Sequence, residues 1–102
     1  MTNAYKLLPI VNNAKSIVVD APLYPILSRY RWYLPKSHYA GTPRPYTIIN
    51  RNGKYHQLRL ARSITKASDH QYPKHLNGDP LDCRRGNLEL VSTRAEAGLK
   101  RR

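Results

Sequence analysis

The stretch HLNGDPLDCRRGNLELVSTRAE, positions 75 to 96, leaves few ways for the chain to fold. HL closes a strand. NGDPLDCRRG cannot continue it, because Gly78, Pro80 and Gly86 punctuate a loop. NLELV then supplies a second short strand. Thr93 stands three residues before Glu96, the spacing of an N-terminal capping box, so a helix is expected to begin there. Gly98 should keep that helix brief. The order is strand, loop, strand, helix.

The preceding residues read as short antiparallel strands. YKLLPIV and SIVV form two strands between positions 5 and 19, separated by NNAK. PLYPILSRYRWYL opens with Pro22, which a first helical turn tolerates. Leu23, Ile26, Leu27 and Tyr30 then recur at helical spacing and should face a core. From Tyr46 the period becomes two. YTIIN and YHQLRL flank RNGK, a β-hairpin with Asn52-Gly53 as its turn. Arg51, Lys54, Arg59 and Arg62 give this hairpin a positive edge. SITKASDHQYP is expected to be a loop or one helical turn. The fold class is therefore α+β. One small domain of 102 residues is expected, with a first part at 1–67, a strand–loop–strand–helix module at 68–99 and a basic tail at 100–102.

Charge narrows the partner. Eighteen Lys and Arg oppose six Asp and Glu, a formal charge of +12. Such an imbalance repels itself in a folded domain and suits a polyanion. Double-stranded DNA is the first expectation, and an acidic protein of a host cell is the alternative. Cys83 stands alone, which excludes an internal disulfide and a cysteine-rich zinc site. His70 and Cys83 lie at no standard zinc spacing from His75. MTNAYKLLPI lacks the apolar run of a signal peptide or membrane span, so no membrane partner and a cytoplasmic location are expected.

HLNGDPLDCRRGNLELVS resembles the core of the HNH endonuclease family, in the form carried by phage and intron-encoded homing nucleases. LYPILSRYRWYLPKSHYA, followed by a hairpin ending in LRLARSI, resembles the segment before that core. The resemblance implies a ββα-metal module in which a histidine draws a proton from water and a divalent cation stabilises the attacked phosphate. The family's general base falls on His75 and its orienting asparagine on Asn87. Mg²⁺ or Mn²⁺ is implied for an active enzyme, and no cofactor for an inactive one.

The chain departs from this pattern where metal ligands are expected. Lys74 occupies the first ligand position, and a charged ammonium has no lone pair to give. Glu96, 21 residues after His75, occupies the second and could act as an oxygen ligand. The loop's Asp-Asn pair is Asp82-Cys83, and Ala61 replaces a histidine common in the preceding hairpin. Two readings follow. In one, Lys74 and Glu96 pair with each other, and the frame binds DNA with catalysis weakened or lost, as a phage-encoded regulator would. In the other, Lys74 contacts phosphate while Asp79, Asp82 or Glu96 brings in the ion, and duplex DNA is nicked or cut.

Arg84 and Arg85 sit where a loop could meet backbone phosphates. Arg94, Lys100, Arg101 and Arg102 extend the same surface, joined by Lys74, Lys54, Arg59 and Arg62. Binding should be salt-sensitive and rather non-specific. Most of the eight tyrosines are expected to build the core, since the chain has no phenylalanine. His38 and His56 are expected to have no catalytic part. No further DNA-reading domain is expected, so any specificity must come from the hairpin, the loops or a dimer. Monomer and dimer both stay open.

Overall fold

The computed structural model describes residues 4–36 and 43–98. They form a small single α+β domain built from three antiparallel hairpins and two short helices. Strand β1 (Tyr5–Ile10) pairs with β2 (Asn13–Asp20), setting Leu8 opposite Ile17. Alternation puts Leu8, Ile10, Ile17 and Val19 on one buried face, as period two requires. The register slips between Pro9 and Ile10, next to a residue with no N–H for the ladder.

A 3-10 turn (Ala21–Leu23) leads into helix α1 (Tyr24–Leu27), which is a single turn. Its brevity corrects one expectation. Leu27 is buried, but Ile26 is 58% and Tyr30 43% exposed, because the chain leaves the helix at Ser28 before the apolar spacing can repeat. Trp32 takes the core position instead, and its indole N–H donates to the Leu27 carbonyl at 2.9 Å. The tyrosines are corrected as well. None of the seven described is fully buried: Tyr5, Tyr30 and Tyr55 are exposed, and Tyr24, Tyr33, Tyr46 and Tyr72 are half-buried.

Strands β3 (Tyr46–Arg51) and β4 (Lys54–Arg59) form the expected hairpin. Asn52 and Gly53 both have positive φ, 52° and 82°, the backbone a two-residue hairpin turn demands. Helix α2 (Leu60–Thr65) follows without a linker and buries Leu60, Ala61 and Ile64. Ala61 therefore lies in a helix and not in the hairpin. Lys66, at φ 56°, ends α2 in the left-handed region, and the polar residues after it form a loop.

Strand β5 (Tyr72–His75) pairs with β6 (Leu88–Val91), which a 3-10 turn over Arg85–Asn87 introduces. The connecting loop is held by the first hairpin. Val18 donates to the Leu81 carbonyl and accepts from the Cys83 N–H, both at 2.8 Å. This grip draws Cys83 into the core beside Leu8, Ile17, Val19 and Leu60.

The helix expected from Thr93 is corrected to one turn among the described residues. Half of the capping box forms: the Glu96 N–H donates to Thr93 Oγ1 at 3.1 Å, while Glu96 Oε1 accepts from the Thr93 hydroxyl at 3.0 Å instead of from its backbone N–H. Gly98, at φ +81°, leaves the right-handed region one turn later. No helix of the described residues is long and apolar enough to cross a membrane. His38, Tyr39, Lys100, Arg101 and Arg102 lie outside the described residues.

Candidate functional site

The loop between β5 and β6 is a closed hydrogen-bond network. Asn77 turns on itself, its Oδ1 accepting from the Asp79 N–H at 2.9 Å, the Asx turn expected of Asn before Gly. Asn87 spans the loop. Its amide donates to Asn77 Oδ1 at 3.0 Å and to the Asp82 carbonyl at 2.9 Å, while its Oδ1 accepts from the Asn77 N–H at 3.0 Å. Among the described residues no bond joins its side chain to the His75 imidazole, so Asn87 positions the loop around the histidine and not the ring itself.

His75 ends β5 with 6% of its surface exposed. Its Nε2 lies 3.9 Å from Cys83 Sγ, inside the core. Burial and, after it, the charge of Arg44 push the imidazole down to about 4, against the opposing pull of Asp79 and Asp82. The ring is neutral at pH 7. Burial, reinforced by Asp82, pushes the Cys83 thiol up to about 12.

A cleft of about 310 Å³ opens beside His75, walled by Arg44, Lys74, Leu76, Pro80 and Glu96. Arg44 was not foreseen from the sequence. Its guanidinium donates to the carbonyls of Pro73 at 2.7 Å and Ala97 at 2.9 Å, joining β5 to the last turn. Its Nε is buried without a partner among the described residues. Burial lowers its pKa, and Arg59 and Arg62 lower it further, which marks a gathering of like charges. The only signal in the sequence was an arginine set between two prolines, Pro43 and Pro45.

The carboxylates expected to hold a divalent cation are partly engaged elsewhere and do not converge among the described residues. Both oxygens of Asp82 are engaged, Oδ1 by Arg84 Nε at 2.8 Å and Oδ2 by Arg84 Nη2 at 2.7 Å and Asn77 Nδ2 at 2.8 Å. The Arg84 bonds hold the Asp82 carboxyl below the usual carboxylate range, although burial opposes them. Glu96 Oε1 accepts from Ser92 and Thr93. No three His, Cys, Asp or Glu side chains converge among the described residues. The Lys74–Glu96 ion pair is corrected too: the one ion pair of the described residues is Arg84–Asp82. Glu96 finds hydroxyl donors within its own turn, and Lys74 stands across the ladder from Glu89.

The cations fall into two groups. Arg84 is a brace, its fork closed on Asp82 and lying 5.9 Å from the Tyr5 ring. Arg85 is exposed, with its N–H donating to Asp20 Oδ2 at 2.9 Å. Elsewhere, Arg62 and Arg94 lie 5.3 and 5.7 Å from the Tyr72 ring centre. Arg59 and Arg62 share a shallow hollow with Gln57 and Ser63, and Lys54 and Arg51 are exposed at the hairpin tip. No protein-family model, curated protein or solved structure matches the chain.

Proposed function

We propose that the chain is a duplex-DNA-binding protein on an HNH-endonuclease-like frame whose cleavage chemistry is weakened or lost. The observation that carries this reading is the engagement of both oxygens of Asp82, the loop's buried carboxylate. Asp82 is closed by Arg84 and Asn77, one oxygen of Glu96 is held within its own turn, and Arg44 and Lys74 outnumber Glu96 in the wall of the cleft beside His75. A site of this kind attracts phosphate oxygens and repels a divalent cation.

The charge of +12 supplies the long-range attraction, and Arg51, Lys54, Arg62 and Arg94 supply short-range phosphate contacts. About four such contacts give a log–log salt slope near −3.6, so affinity falls roughly 150-fold between about 50 and 200 mM salt.

The test is a plasmid nicking assay with Mg²⁺, Mn²⁺ and EDTA arms, run beside a gel shift on duplex DNA and a His75→Ala variant. The expected result is retardation in every arm, with no nicked product above the EDTA lane. Metal-dependent nicking that disappears in His75→Ala would establish a working nuclease instead. A folded protein that ignores DNA but holds an acidic protein at the same salt would remove the DNA-binding reading.

A further inference from the structure

The β3–β4 hairpin is unlike the other two. Cross-strand pairing assigns its side chains to two faces. One carries Thr47, Leu58 and Ile49, turned toward the domain at the root, with His56, Arg51 and Lys54 exposed beyond them. The other carries Ile48 opposite Gln57, Tyr46 opposite Arg59 and Asn50 opposite Tyr55. On this second face only Tyr46 is half-buried; Ile48 is 53% and Tyr55 76% exposed. A hairpin needs an apolar face against something to be stable. Here that support reaches only the root, and the outer face is left to solvent.

The side chains on that face have a common chemistry. Gln57 and Arg59 make no side-chain hydrogen bond among the described residues, and both offer paired donor or acceptor groups in one plane. Asn50 is different, because its Oδ1 closes the turn by accepting from the Gly53 N–H at 3.0 Å. We infer that the outer face of β3–β4 enters the major groove of duplex DNA, with Gln57 and Arg59 reading base edges and Ile48 meeting a thymine methyl. This rests on the DNA-binding reading above and deepens it from backbone attraction to sequence preference.

Geometry and charge support the fit. The major groove of B-DNA is about 12 Å wide and admits a two-stranded ribbon. Glutamine pairs bidentately with adenine and arginine with guanine at the groove edges. Arg51 and Lys54 at the tip, on the opposite face, and Arg62 at the root add positive charge at both ends of the ribbon. The deep, narrow major groove of A-form RNA does not accept such a ribbon, so duplex DNA is the partner. Residues two apart on a strand stand about 6.7 Å from each other, close to two base-pair steps. The preferred site should therefore be short, with an A·T and a G·C position two steps apart.

The test is enrichment of duplexes from a randomised library on the full chain, repeated with Gln57→Ala and Arg59→Lys. Both positions are exposed, so the variants keep the fold, and thermal melts check this. Arg59→Lys keeps the charge and loses the planar fork. Each variant should relax one position of the preferred site and weaken it roughly tenfold. Affinity for unselected DNA should change less than about twofold.

Binding without any enriched sequence would overturn the inference and leave DNA binding standing. Enrichment that both variants leave intact would also overturn it. So would self-association that the variants abolish while DNA preference stays, since the face would then belong to a second copy. A chain that binds no DNA takes both readings down together.

Discussion

Asn77 and Asn87 hold each other from both sides: the Asn87 amide donates to Asn77 Oδ1 while Asn87 Oδ1 accepts from the Asn77 N–H, each at 3.0 Å. Nine residues of loop lie between them, and the third bond, to the Asp82 carbonyl, pins the middle of that loop. Rigidity in the loop thus depends on a side chain that touches neither the cleft nor the imidazole.

Replacing Asn87 by Ala removes three hydrogen bonds from a half-buried position and is expected to cost about 2–3 kcal/mol. Asn87→Asp should not rescue, because a carboxylate would face the Asn77 and Asp82 oxygens. Urea unfolding checks both variants: the midpoint should fall at unchanged slope.

Acid should destabilise the protein in two separate windows. His75 has a native value of about 4 against an ordinary 6.5, so between these values the unfolded chain binds a proton that the native one refuses. Its contribution is complete above 6.5 and is lost as pH falls toward 4, on the order of 2 kcal/mol after solvent screening. Asp82 acts lower. Its native value lies below the ordinary carboxylate value, so its contribution is present above that value and is lost as pH falls through the depressed one. Urea midpoints measured from about pH 8 to 3 should show a first limb absent from His75→Gln and a second absent from Asp82→Asn.

Cys83 should behave as an inert core residue. It is fully buried, and its thiol is pushed up to about 12, so little thiolate forms near neutrality. Iodoacetamide should label the native protein at least about 100-fold more slowly than the urea-unfolded chain. Labelling at comparable rates would mean that the Val18 grip on the loop opens readily.

Arg44→Ala should release the last described turn. Two charge-assisted bonds to the Pro73 and Ala97 carbonyls disappear, with an expected loss of about 2–3 kcal/mol. Lysine cannot span both carbonyls, so Arg44→Lys should recover only part. Tryptic cleavage after Arg94 should accelerate in Arg44→Ala before global unfolding does, which peptide mapping would follow.

Local chemistry was readable in the chain and long-range closure was not. Asn52-Gly53 announced its turn because its backbone needs positive φ at two successive positions. The Thr93–Glu96 box announced its bonds for the same kind of reason, three residues apart. The expected Lys74–Glu96 pair is not formed, and one Glu96 oxygen instead takes the hydroxyls of Ser92 and Thr93 beside it. Asp82–Arg84 is also local, and its two-residue spacing could have warned that the carboxylate was committed. Arg44 bonds to residues 29 and 53 positions away, a closure that no pattern within the chain announces. Cys83 is buried for a similar reason, since its cover comes from Val18 in the first hairpin.

Among the described residues each of the six strands belongs to a two-stranded sheet, so each has an edge, covered only in places, as where Val18 bonds to Leu81 and Cys83 and Tyr46 to Tyr33. Proteins guard such edges with charge, and here the guard is the same +12 that draws the chain to polyanions. Colloidal stability and DNA affinity therefore rest on one set of side chains. Titrating the protein with DNA is expected to cloud the solution near charge balance and clear it again when either component is in excess.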